Sequence, residues 1–295
     1  MSWPPLPLDS WRDTRDTLQM WMQIAGKICL ARTPRVNHFW NIAFQITPRG
    51  LMTPPMPHGS RSFTMTFDFL AHELVIETSD GSRQTIPLQP QTVADFYHRL
   101  TDTLREMGLE TRIWTMPVEV PDPIRFEQDV THRSYDRDAA RRAHEALLTM
   151  KPVFDTFRAE FIGKCSPLHF FWGGFDLAVT RFSGRRAPER PGADAVTRES
   201  YSHEVISHGW WPGSGAVSQP AFYAYAAPEP DGLKTTPVQP AAAFYSTEMS
   251  IFVLPYEAVR TSPTPEADLR SFLKSTYETA ATLAQWDRTS LERSR

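Results

Sequence analysis

The chain has 295 residues, 41% hydrophobic and 22% charged, enough for a sizeable core in one large domain or two smaller ones. A net charge of −3 lacks the basic footprint that non-specific nucleic-acid binding needs, so no nucleic-acid partner is expected. Two cysteines, Cys29 and Cys165, make no disulfide framework, and no run approaches the ~18 apolar residues of a membrane span. The opening MSWPPLPLDSW also lacks a basic n-region and an apolar h-region, so the expectation is a cytoplasmic protein with no membrane partner.

After a Pro-rich arm, Trp11, Thr14, Leu18, Trp21, Met22 and Ala25 recur at helical spacing, with Asp9 or Ser10 as cap and Gly26 as stop. Residues 39–47, 62–68 and 73–78 read as strands, and Asp80-Gly81 signals a hairpin into 83–88. Val93, Phe96, Tyr97, Leu100, Leu104 and Met107 form the clearest helical stripe, stopped by Gly108. Residues 111–116 read as a short strand and 117–134 as an irregular crossing. A long helix is predicted over 137–161, with Pro152 as a kink or as the start of a second helix. Residues 170–182 read as strand, 183–219 as loop, 221–226 and 249–254 as strands. A last helix follows Pro265.

Helices between groups of hairpin-linked strands predict an α+β fold with mainly antiparallel sheets and packed helices. Two stretches echo each other: GKICLARTPRVNHFWNIAFQIT from Gly26 and GKCSPLHFFWGGFDLAVT from Gly163. Each places Gly-Lys at a predicted helix end, then a His-aromatic run and a strand. The expectation is two diverged, similar halves about a pseudo-twofold, 1–120 and 121–295, packed closely as one compact unit.

The second half is denser in polar groups. His169 and Asp176 lie seven apart, on opposite faces of an unbroken strand, unless Gly173-Gly174 holds a bulge that changes the parity. Lys164, Arg181, Arg185 and Arg186 suggest a small anionic ligand, because guanidinium forks match carboxylate or phosphate. The plainer reading makes Arg185 and Arg186 solvated loop residues. YSHEVISHGWW at 201–211 is not the zincin pattern, whose histidines stand four apart on a helix. A metal set of His203, Glu204, His208 and His169 is weighed against histidines that hydrogen-bond within a stiff loop, and no metal is assigned. Cys165 with His169 as base competes with a buried structural cysteine, since a helix C-terminus disfavours a thiolate.

The first half offers Lys27, Asn37, His38 and Arg49. There Asp68 and His72 form either a hydrogen-bonded base or the pin of a bend. Asp129, His132, Tyr135 and Asp136 read as a polar knot that caps the long helix. No G-x-G-x-x-G follows a strand and no Walker loop appears, so no cofactor is specified. The resulting candidates are His169, Asp176, His203 and Glu204 for catalysis. Lys164, Arg181, Arg185, Trp172 and Trp210 are the candidates for ligand binding.

GKICL at 26–30, NHFW at 37–40, FDF at 67–69, VADFY at 93–97, GKCSPLHFFWGGFDLAVTRFSGRRAP at 163–188, YSHE at 201–204 and LPYEAVR at 254–260 carry a resemblance to a bacterial family of uncharacterised proteins, domain of unknown function 5996. The resemblance covers nearly the whole chain and implies a single family unit, with no activity, substrate or site residues to carry over. The family pattern often has His at the position of Gln19 and Arg at that of Cys29, which shifts expected chemistry to the second half. Two function classes follow. One is a small-molecule binding protein or enzyme with a His-based site and an anionic ligand. The other is a non-catalytic protein-interaction or scaffold module that uses aromatic contacts such as Trp172, Trp210 and Trp211. The oligomeric state is not specified by the sequence.

Overall fold

The structure is a computed structural model and describes residues 3–213 and 218–293. The first half of the chain begins with α1 (Arg12–Arg32), whose interior positions are almost wholly buried. Six short strands follow: β1 (Gln45–Thr47), β2 (Gly50–Met52), β3 (Met56–His58), β4 (Arg61–Asp68), β5 (Glu73–Thr78) and β6 (Arg83–Pro87). They form an antiparallel sheet of order β1-β2-β4-β5-β6, with β3 also paired to β4. Helix α2 (Val93–Glu106) covers it, N-capped by Thr92, whose hydroxyl accepts from the Asp95 amide at 3.0 Å.

Helix α3 (Arg137–Ala159) opens the second half, N-capped by Asp136. The second sheet contains β7 (His169–Phe171), β8 (Asp176–Arg186), β9 (His203–Trp211), β10 (Ala221–Ala227), β11 (Phe244–Ser246) and β12 (Ile251–Pro255). Its order is β11-β12-β10-β9-β8-β7, all antiparallel. Helix α4 (Ala195–Ser200) lies between β8 and β9, and α5 (Tyr256–Arg260), α6 (Pro265–Leu283) and α7 (Arg288–Leu291) close the chain. The α+β class with two antiparallel sheets is thus the one expected. The sheets meet at one antiparallel bridge, where Phe44 and Phe170 exchange backbone bonds of 2.8 and 2.9 Å. Trp21, Phe44 and Phe67 share one contiguous core with Phe154, Phe170 and Trp210.

Strand alternation gives the second sheet two different faces. Leu177, Val179, Arg181, Ile206, His208, Trp210, Phe222 and Ala224 are buried against α3 and α6. The opposite face carries Asp176, Ala178, Thr180, Ser207, Tyr223 and Tyr225.

Several elements depart from the sequence expectation. Gly26 does not end α1, which continues to Arg32. Residues 39–47 are not one strand. His38 and Phe39 take φ of 58° and 56° in a 3-10 turn, and the strand begins only at Gln45, just after the Phe44 bridge. Residues 170–182 form a hairpin rather than a single strand. The expected loop over 183–219 contains the end of β8, helix α4 and all of β9, while 111–116 has no regular element. Helix α3 runs through Pro152 as one element.

Candidate functional site

The face of the second sheet that carries Asp176, Tyr223 and Tyr225 is roofed by α4 and by the 37–42 segment, leaving a cavity of about 350 Å³. The sequence builds it locally. FWGG turns the chain between β7 and β8, so Phe171 pairs with Asp176 and His169 with Ala178. Neither an unbroken strand nor a bulge describes this region. Cross-strand pairing puts His169 and Asp176 on one face. Trp172 leaves the turn to donate from Nε1 to the Ile42 carbonyl at 3.0 Å, and its indole lies flush against Gly26 of α1.

Asp176 lies on the cavity wall, where its Oδ2 accepts a 2.5 Å hydrogen bond from the Tyr223 hydroxyl. Burial pushes its pKa up to about 7; the Tyr223 bond opposes this and the charge of Glu119 adds to it. Burial also holds the Tyr223 phenol well above its ordinary range, with the Asp176 charge second. Glu119 enters from the irregular 117–134 crossing with φ of 57° and keeps solvent-exposed surface. Burial of the carboxyl itself raises its pKa, and Asp194 raises it further. Gln23, fully buried on α1, fixes the adjacent peptide from both sides: it donates to the Val118 carbonyl at 2.7 Å and accepts from its amide at 2.8 Å. Gly173 and Gly174 clear the space between the two acids. A Cβ on Gly173 would lie 2.3 Å from Glu119 Oε1, and one on Gly174 would lie 3.0 Å from Asp176 Oδ1 and 3.4 Å from Glu119 Oε2. Further along the wall, Thr180 bonds Ser207 at 2.9 Å and Tyr201 bonds Tyr225 at 3.0 Å.

The other end of the cavity holds His38. Its Nε2 faces Lys164 Nζ at 2.6 Å and its Nδ1 faces the Glu199 carbonyl at 3.0 Å. A neutral imidazole that donates from Nδ1 and accepts from Lys164 satisfies both contacts. Burial lowers the His38 pKa, and Lys164 lowers it further. Lys164 also lies over the Phe182 ring at 4.7 Å, and burial lowers its pKa. His203 stands at the edge, with its ring 6.3 Å from His38; burial lowers its pKa, then Lys164. His169 is 4% exposed, and neither ring nitrogen has a hydrogen-bond partner among the described residues. It lies beside Trp40 and Phe171, both of which line the cavity. Burial pushes its pKa down to about 4.

The other residues singled out in the sequence lie elsewhere. Arg181 is on the far face, its guanidinium 3.6 Å from the Phe157 ring and 4.2 Å from that of Tyr277, so it does not join Lys164 at a common anion. Arg185 and Glu204 pair with each other at 2.7 Å on the surface, and Arg185 also holds the Ala284 carbonyl at the end of α6. Trp210 and His208 are on the far face, buried against Tyr256 and Thr276 respectively. Adjacent residues of β9 point to opposite faces, which separates His203 from both Glu204 and His208. Among the described residues, no group of three His, Cys, Asp or Glu side chains is placed to hold a metal ion. Burial pushes the Cys165 thiol up, away from a reactive thiolate. Asp68 pins a bend, accepting from the Leu70 and Ala71 amides at 2.9 Å each.

Of the sequence candidates, Asp176 and Trp172 line the cavity, Lys164 reaches it through His38, and His169 and His203 flank it. Glu119, Tyr201, Tyr223 and Trp40 were not singled out as site residues in the sequence. AFYAYAA carried a signal for the tyrosines, since period 2 puts Tyr223 and Tyr225 on one face. Glu119 sits in an aperiodic segment that offered none.

Fold and cavity together define an α+β protein whose second sheet lines a cavity with polar and aromatic side chains. The chain belongs to the family of unknown function DUF5996, whose sequence profile matches residues 3–293. No curated protein and no solved structure matches it.

Proposed function

We propose that the protein binds a small molecule in the cavity over β7–β10 and that Asp176 supplies acid–base chemistry there. The observation that carries this reading is Asp176 on the cavity wall with a pKa near 7, bonded to Tyr223. A carboxyl that titrates near neutrality is matched to proton transfer at working pH. The cavity is within the usual size range of ligand sites and combines aromatic walls with a few convergent polar groups. In this reading the neutral His38, backed by Lys164, serves as a hydrogen-bonding group at the opposite end, and His169 and His203 act on its surroundings. The acidic wall and the distant Arg181 and Arg185 argue for a carboxylate-centred site over the His-centred, anion-binding one expected from the sequence. The two halves, 1–120 and 121–295, are taken as diverged copies, a reading supported by their helix–strands–helix order and by the antiparallel Phe44–Phe170 bridge.

The test is a thermal-shift screen of a metabolite collection on the wild type and on Ser200→Trp. Ser200 lines the cavity from the end of α4, is half-buried and makes no side-chain hydrogen bond among the described residues. The expected outcome is a set of compounds that raise the wild-type melting temperature and lose that effect in Ser200→Trp. Hits that shift both proteins equally contradict the assignment.

A further inference from the structure

We propose that the ligand of this cavity carries an organic ammonium group, seated between the Asp176 and Glu119 carboxylates and against the rings of Phe171 and Tyr223. The inference rests on the cavity being the binding site and adds the charge class of what it binds. Both carboxyls line the cavity, and both lie within 3.4 Å of the point where a Gly174 Cβ would stand. The charges that act on them are negative. Glu119 acts on Asp176, and Asp194 acts on Glu119. Two acids brought together with no ion-pair partner among the described residues leave a negative field that a cationic ligand would neutralise. Tyr223 donates its only proton to Asp176, and Glu119 accepts no hydrogen bond from a side chain among the described residues, which leaves acceptor lone pairs facing the cavity.

The nearby bases are committed elsewhere. Lys164 is turned to His38 and the Phe182 ring, and Arg181 lies on the other face of the sheet. The flanking rings favour the same ligand charge. Phe171 is the cross-strand partner of Asp176 and Tyr223 is hydrogen-bonded to it, so aromatic rings line the cavity beside the carboxylates. Ring faces attract ammonium ions and give a carboxylate ligand nothing in return. A bare divalent metal is a poorer occupant. It needs about six oxygen ligands, and these walls supply two carboxylates among rings.

The experiment is calorimetric titration at pH 8 with three probes of one shape and different charge: benzylamine, benzyl alcohol and benzoate. The amine is expected to bind at least about ten-fold tighter than the alcohol, with benzoate weakest. Glu119→Gln, which keeps the shape of the side chain and removes its charge, is expected to narrow the amine–alcohol gap by about three-fold or more. The double variant with Asp176→Asn is expected to abolish the gap. Glu248→Gln makes the same charge change on an exposed residue far along the chain and is expected to leave the gap intact. The proposal is overturned if the alcohol or benzoate binds as tightly as the amine, if none of the three binds, or if the gap survives in the double variant. Benzoate or alcohol binding that disappears in Ser200→Trp would overturn the ammonium while leaving the cavity assignment standing. Failure of the metabolite screen would remove the cavity itself.

Discussion

At Asp176 an ionisable group is held where its charged form is poorly solvated. Its pKa rises from an ordinary 3.8 to about 7, so the folded state holds the proton more tightly than the unfolded chain does. The native state therefore carries no penalty below pH 4, and stability is lost as pH rises from about 4 through 7. Asp176→Asn keeps an acceptor for Tyr223 and removes the penalty. It is expected to stabilise the protein by about 2 kcal/mol at pH 8 and by almost nothing at pH 4, read by denaturant melts at the two pH values. The groups facing Asp176 are Glu119 and Tyr223, with Tyr225 beyond. Gln23 acts on the same site through backbone. Gln23→Leu removes two bonds to Val118 and leaves that peptide without its clamp, so a loss of about 2–3 kcal/mol is expected. Amide exchange at residues 118–120 should rise in step; unchanged protection there would show that Gln23 does not hold Glu119 in place.

At the scale of elements, Gly26 sets local propensity against packing. Inside an exposed helix, Gly→Ala gains about 1 kcal/mol. Here the added Cβ would stand 2.2 Å from the Trp172 indole, and overpacking of this kind costs about 1–3 kcal/mol or more. Gly26→Ala is therefore expected to lower stability, and a rise in melting temperature would show that Trp172 is free to move. The same position explains why the sequence misplaced the end of α1. Glycine there marks a close approach from residue 172, and the chain before and after it is equally helical. Regular amphipathic elements such as α2 and β4 were legible because one period ran along them. β9 was not, because HEVISHGWW is buried on both faces and puts histidines and a serine at buried positions. Asp176, Trp172 and the cluster around Lys164 were visible as unusual residues in an aromatic run. Their grouping was not, since it depends on the hairpin register and on a loop 57 residues before Asp176 that brings Glu119.

For the whole molecule, the bridge between Phe44 and Phe170 joins two sheets over a common core. We expect the halves to unfold together. Trp21 reports the first half and Trp210 the second, and both are buried. Fluorescence of variants that retain one or the other should show coincident denaturant transitions. Phe170→Ala should shift both by the same amount, about 3–5 kcal/mol in total; a transition that moves in one half alone would mean two independent units. The cavity depends on this union, because its roof at 37–42 and its acid Glu119 come from the first half and its wall from the second. That dependence makes the ionisation of Asp176 the most direct gauge of the account. A carbon-13 carboxyl titration of Asp176 in the intact protein should give a midpoint near 7 that falls toward ordinary carboxylate values when benzylamine is bound. A midpoint near 4 in the free protein, unmoved by the amine, would contradict it.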